Sequence, residues 1–406
     1  MTKVPPIPLE EAQTRLLALA TRLPIEQIDP EAAMGRYLAG SLLARRTQPP
    51  TDLSAMDGYA VAPGDLAGPW QVIGESAAGH SFAGTLLAGQ AVRIATGAIL
   101  PESGGAVILQ EDVSRDGDTL VLTGDAPVPP HKHIRAKGVD FSLGSQVLEA
   151  GVRIGPAQVA LALSAGHSLL PVHRRPRVAI IDSGDELAAV PELCRPDQIP
   201  ASNGAMLSAL ARTLPCDVIR LGPVADTMPA LADAFAAAED VDVIVTSGGA
   251  SVGDHDLIKP ALAEWGADID FWRVAIKPGK PILVATRESG GRRQIVLGLP
   301  GNPVSSYVTA FFFMLPLLRS FLGATQPFPI ALRTQLAAPI KANGSRREFV
   351  RAAWDGRVAT PQPVQDSGAL TSLAGSNVLI DRPAHAPAGA AGDEVDAFLL
   401  ENGGLA

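Results

Sequence analysis

The run Val178-Ala179-Ile180-Ile181-Asp182-Ser183-Gly184-Asp185-Glu186 decides the fold of this 406-residue chain. Four apolar, mostly β-branched residues lead straight into a polar turn containing glycine, as a buried strand does where it leaves a sheet. The texture returns at residues 218–221, 241–246, 281–285 and 294–297, with helical patterns between, notably over 204–213 and 228–238. Strands separated by helices predict a doubly wound parallel α/β sheet, and ligands on such sheets bind beyond the carboxyl ends of the strands.

Outward from that core the pattern changes. A basic, proline-containing linker at 174–177 precedes the first strand. Residues 53–140 carry short apolar runs (71–73, 91–95, 106–110, 119–122) punctuated by Gly, Pro and Asp, which predicts an inserted β-rich domain. Before it, 9–19 and 30–43 show apolar residues at helical spacing, with Pro30 suited to a first helical turn, so two short helices are expected to open the chain. After residue 322, short strands and turns run through 346–353 to a Gly/Ala-rich end at 384–391, predicting a small C-terminal β-rich domain. The whole reads as a multidomain α/β plus β chain.

Composition narrows the function. A net charge of −9 argues against a nucleic-acid binder, which needs surplus cations to neutralise phosphates, but leaves room for a local basic pocket. Two cysteines, Cys194 and Cys216, form neither a disulfide framework nor a metal site, and read as reduced thiols of a cytoplasmic protein. The start, MTKVPPIPLEEA, has no basic-then-apolar signal. The longest apolar stretch, 307–318, contains Pro316 and falls short of the roughly 20 residues a membrane span needs, so it reads as a buried helix.

Four loops follow the expected strands. In Asp182–Glu186, Asp185 and Glu186 suit a metal-bearing ligand, or serve as dipole-compensating acids of a first helical turn. The segment Ser247-Gly248-Gly249-Ala250-Ser251-Val252-Gly253-Asp254-His255-Asp256 has three glycines that let backbone approach an anion. Asp254 and Asp256 suit magnesium, whereas His255 has no second histidine at ligand spacing. Arg273-Val274-Ala275-Ile276-Lys277-Pro278-Gly279-Lys280 puts three cations in eight residues, either a positive site or solvated surface charge. In Pro300-Gly301-Asn302-Pro303, Asn302 suits an N-cap and Pro303 the first helical position, with exposed N–H groups that also suit an anion. Together the loops describe a pocket for an anionic, phosphate-bearing ligand.

These loops, with Gly184–Leu187, Ser247–Gly253, Lys277–Pro281 and Gly298–Pro303 taken as motifs, resemble the molybdopterin molybdenumtransferase family, to which gephyrin's E domain belongs. Ser54–Val61, Ile94–Ala98 with Pro101, and Arg347–Arg351 extend the resemblance over nearly the whole chain. It implies the molybdopterin-binding fold and this division: 1–22, a helix associated with the α/β domain; 23–47 with 139–173, a linking domain; 48–138, the inserted domain; 174–323, the α/β domain; and 324–406, the C-terminal domain.

The resemblance also implies an activity: insertion of molybdenum from molybdate into adenylylated molybdopterin with release of AMP, dependent on Mg2+. It implies a homodimer in which Asp57 and Thr96 complete the partner's site, with a molybdopterin adenylyltransferase and molybdenum-enzyme maturation proteins as further partners. Glu186, Asp226 and Asp256 are implied as metal-surrounding carboxylates, Asp140 as a further acid, and Lys277, Lys280 and Arg273 as anion-binding cations. Asp57, Thr96 and Lys277 join the three carboxylates as catalytic; Ser247, Gly248, Gly249, Ser251, Gly253, Pro300, Asn302 and Pro303 line the substrate. Asp226 alone would read as an N-cap. Arg273 stands where many relatives carry Lys, and Asp182-Ser183 where relatives often carry Ser-Thr. The rival readings are the adenylyltransferase of the preceding step, which shares the α/β domain but not the extra β-rich domains with Asp57 and Thr96, and a non-catalytic scaffold, which would not require the carboxylate and lysine set.

Overall fold

The computed structural model describes residues 5–248 and 257–400. Its centre is a six-stranded sheet of β1 (Arg177–Ser183), β2 (Asp217–Val224), β3 (Val243–Ser247), β4 (Asp268–Arg273), β5 (Pro281–Ser289) and β6 (Arg292–Leu299), in the order β2-β1-β3-β6-β5-β4. Strands β2, β1, β3 and β6 are parallel neighbours, while β5 pairs antiparallel with both β6 and β4. The expected parallel sheet therefore contains one reversed strand. The hairpin turn at Gly290-Gly291, both in the left-handed region, reverses the chain between β5 and β6 without a crossover helix.

The reversal places the site. Because β5 runs backwards, its first residue lies at the edge where β4 ends, and Arg273 pairs with Pro281. The Arg273–Lys280 segment thus joins the carboxyl ends of β1, β2, β3 and β6 at one edge.

Both faces of the sheet are buried. One face packs Val178, Ile180, Val243, Val245, Ile295 and Leu297 against α1 (Leu9–Leu17), α2 (Ser202–Ala211) and the apolar helix Pro303–Phe321. The other packs Ala179, Ile181, Ile244 and Val296 against α3 (Met228–Ala237) and α4 (Ile258–Glu264). The strands are apolar on both sides because helices cover both sides. Pro303–Phe321 is long and apolar enough to cross a membrane, but 89% of its most apolar window is buried in the fold, as a core helix. Its ladder loosens into a π-turn at Ala310–Met314, just before Pro316, whose ring cannot continue a regular bond pattern.

The second β-rich unit orders strands 106–109, 58–61, 90–94, 70–76, 119–122 and 113–116 in one sheet with its own core of Tyr59, Trp70, Ile108 and Leu120. The C-terminal sheet surrounds Val350, Val378, Ile380 and Ala397. Phe349 and Phe398 tie it to the α/β core by stacking on or edging Phe312, at 4.2 and 5.1 Å between ring centroids.

One expected element is absent. Residues 30–43 form turns, bridges at Tyr37 and Leu38, and a strand at Leu42–Leu43 rather than a helix. Gly35, at φ +78°, breaks any helix there, and the backbone bridges Arg153 and Val172 instead. The helix of that unit is Pro156–Ser164. Cys194 and Cys216 are free thiols, and burial pushes the Cys216 thiol up to about 12.

Candidate active site

The end of β1 makes the acidic corner. After Ser183 the chain turns at Gly184, whose N–H donates to Val224 O at 3.1 Å, and then runs into the short strand Leu187–Ala188 rather than a helix. Asp185 and Glu186 are therefore not helix-capping acids. A side chain on Gly184 would meet Glu186 Oε2 at 2.6 Å, so the carboxylate lies folded over the turn. The Asp226 N–H donates to Asp185 Oδ1 at 3.1 Å, joining the loops after β1 and β2. Asp226 does not cap α3; Thr227 does, its hydroxyl accepting from Ala230 N–H. Desolvation, then the charges of Asp185 and Glu186, push the Asp226 carboxyl above its ordinary range.

The glycine loops meet next to this corner. Ser247 ends β3, and Gly248, at φ +103°, donates its N–H to Leu299 O at 3.0 Å. Gly249, Ser251, Gly253, Asp254, His255 and Asp256 lie outside the described residues. Pro303 is the first residue of the long helix, as expected, but the Asn302 side chain makes no cap bond and donates to Ser367 Oγ at 3.1 Å instead. The residue that joins the loops is Asn203, which sequence reading missed. Its amide donates to Ser247 Oγ at 2.8 Å and to Gly301 O at 2.7 Å. In sequence it is one more asparagine at a helix start, and no local pattern points to a partner about a hundred residues away.

The cationic loop divides into two parts. Ile276–Lys277 pairs with the C-terminal sheet at Arg347–Glu348, and Lys277 Nζ sits 2.7 Å from Glu348. Arg273 and Lys280, by contrast, make no ion pair among the described residues. Gly279, at φ +103°, approaches the long helix so closely that a Cβ would meet Thr309 Oγ1 at 2.4 Å. The turn is therefore fixed by packing while Lys280 stays exposed.

Asp57 and Thr96 meet in the second β-rich unit. Asp57 Oδ1 accepts from the Thr96 N–H at 2.6 Å and its hydroxyl at 3.0 Å, and these two bonds hold the exposed carboxylate below its ordinary range. Asp140 is exposed on a turn, its N–H donating to Gln48 O. Among the described residues of one chain, no hydrogen bond or ion pair links these three to the α/β loops.

The architecture, an α/β domain between β-rich units, matches known proteins along nearly its whole length. The model of the MoeA N-terminal region (domain I and II) matches residues 7–166, that of a probable molybdopterin binding domain 179–320, and that of the MoeA C-terminal region (domain IV) 333–400. The molybdopterin molybdenumtransferase of Nostoc sp. is 33% identical over 88% of this chain and 85% of its own length. That of Bacillus subtilis is 32% identical over 99% and 96%. The crystal structure of a molybdopterin biosynthesis MoeA protein from Pyrococcus horikoshii superposes with a TM-score of 0.83 at 26% identity, covering 97% of this chain and all of that one. The fold is that of a MoeA-type protein. The chain belongs to the molybdopterin molybdenumtransferase family.

Proposed function

We propose that the carboxyl edge of the sheet binds adenylylated molybdopterin and molybdate, and that molybdenum passes to the pterin dithiolene there with release of AMP. The chain is a transferase of molybdenum-cofactor biosynthesis, and the residues at this edge suit that chemistry. The observation that carries the reading is the joining of Ser247–Gly248 and Pro300–Gly301 through Asn203, at the edge where Arg273 and Lys280 have no carboxylate partner among the described residues. Molybdate is a tetrahedral dianion and the pyrophosphate carries further charge, so both need cationic and polar donors near a backbone they can approach closely. The dithiolene sulfurs belong to the substrate, so the reaction needs no thiolate from the two free cysteines.

Magnesium belongs to the same reading, with Glu186 and Asp226 as its protein ligands and Asp256 as a third. Desolvation, and after it the repulsion of Asp185 and Glu186, raises Asp226, and a divalent cation would relieve the repulsion. Such an ion keeps several waters and takes ligands from phosphates as well as from the protein. When bound it would neutralise pyrophosphate charge. Lys280 and Arg273 then orient the phosphates, while Lys277 is held towards Glu348 and assists only when that pair opens.

We further infer a cytoplasmic homodimer in which Asp57 and Thr96 complete a second copy's carboxyl edge, Asp140 adding negative charge. Among the described residues of one chain, the Asp57 and Thr96 side chains bond to each other and to no residue of the α/β loops. An adenylyltransferase supplying the substrate and maturation proteins receiving the product fit as partners. The test is incubation of the purified protein with adenylylated molybdopterin, magnesium and either molybdate or tungstate, following AMP and metal incorporation. AMP release dependent on the oxyanion supports the reading, and no AMP with either oxyanion overturns it.

A further inference from the structure

The last residue but one of β1, Asp182, is a carboxylate with 1% side-chain exposure beneath the acidic corner. Its only ion-pair partner among the described residues is Arg220 on the neighbouring β2, with Nε and one terminal nitrogen 3.3 and 3.0 Å from Oδ2. The same guanidinium donates to Ala201 O at 2.6 Å. Ala201 is the residue before α2, and two residues on is Asn203, the side chain that bonds Ser247 and Gly301. Glycine makes the arrangement fit: a Cβ on Gly204 would lie 1.9 Å from Asp182 Oδ2 and 2.8 Å from Arg220 Nε.

We propose that Asp182 and Arg220 are a positioning pair for the transferase reaction, fixing the first turn of α2 so that Asn203 holds the two glycine loops at one spacing. The inference rests on the functional reading above for its substrate, but not for its geometry. A purely stabilising role accounts poorly for the pair. Asp182 Oδ1 is buried with no hydrogen-bond partner among the described residues, and a buried charge left half-satisfied costs more than an apolar replacement. What the pair supplies is a fixed direction, since the planar guanidinium reaches the carboxylate and the Ala201 carbonyl at once. The strap from β1 to α2 reinforces it, because Ile199 N–H donates to Glu186 O and Ala201 N–H to Ala188 O. The pair thereby connects the acidic corner to the glycine loops.

The test uses the full-length protein with Asp182→Asn, Arg220→Gln and the double variant, in which two amides replace the charges. The expected result is a KM for adenylylated molybdopterin raised about tenfold in each single variant with kcat nearly unchanged, and recovery in the double variant. Amide hydrogen exchange should quicken over residues 202–206 and at Gly301 and Asn302 in the single variants and stay unchanged over α3. Single variants that only lower thermal stability, with unchanged KM and exchange, overturn the proposal, as does a double variant worse than the product of the singles. Should the wild-type protein release no AMP, the functional reading fails, and the exchange pattern still decides the role of the pair.

Discussion

The two ends of the six-stranded sheet treat buried charge in opposite ways. At the amino-terminal end, Asp242 takes both terminal nitrogens of Arg174 at 2.8 and 2.7 Å and also the Arg177 N–H, so both its oxygens are satisfied. Nearby Gln294, 1% exposed, donates to the carbonyls of Ala238, Glu239 and Val241. At the carboxyl-terminal end, among the described residues, Asp182 keeps one oxygen without a hydrogen bond, Asp226 is desolvated and crowded by like charge, and Arg273 and Lys280 have no carboxylate. Asp242 and Gln294 are closed on their neighbours, whereas the groups named at the other end are left for a ligand to resolve. A site is legible as the place where satisfaction stops.

The comparison can be broken most severely by emptying the open end. Asp226→Asn should lower AMP release by on the order of a hundredfold while circular dichroism and oligomeric state stay unchanged. Asp57→Ala should do the same from the second β-rich unit. Mixing the two inactive variants should restore about a quarter of the activity, because half the dimers are mixed and each has one complete site. A mixture that stays inactive would sink the shared site.

A smaller loss is expected from Asn203→Ala, about tenfold in kcat/KM, the size of one lost link between loops that remain folded. At the closed end Asp242→Asn should instead lower unfolding free energy by about 2 kcal/mol, read by denaturant titration, with KM unchanged. If Asp242→Asn also raises KM, the two ends are not separable.

The smallest effect concerns pH. Asp226 is raised, so its carboxylate form is reached only above the ordinary carboxylate range, and activity that needs the ionised group falls as pH drops through that raised value. Removing one repelling charge with Asp185→Asn should move the acidic limb of the rate profile to lower pH. The same sign reasoning makes the ionised Asp226 unfavourable to folding, so the variant should also gain stability above that limb.

Much of this molecule was readable from its residues. The buried strands announced themselves because apolar runs flanked by helices have few other structures to form, and the runs at 178–181 and 294–297 lie inside β1 and β6. What failed was whatever depended on a distant partner. Residues 30–43 have helical spacing, but Gly35 and the strands they bridge override it. The reversed direction of β5 is set by a two-glycine turn that a strand–loop pattern does not orient. Asn203, and the diversion of Lys277 to Glu348, are pairings across the fold that no spacing records.

The central claim, that the substrate binds at the open end of the sheet, is tested most directly by titrating adenylylated molybdopterin into the wild-type protein and into Lys280→Gln and Arg177→Gln variants without molybdate. Lys280 lies at the carboxyl edge and Arg177 begins β1 at the other. Lys280→Gln should raise the Kd about tenfold and Arg177→Gln should leave it unchanged. Equal weakening by both, or weakening by Arg177→Gln alone, would contradict that claim.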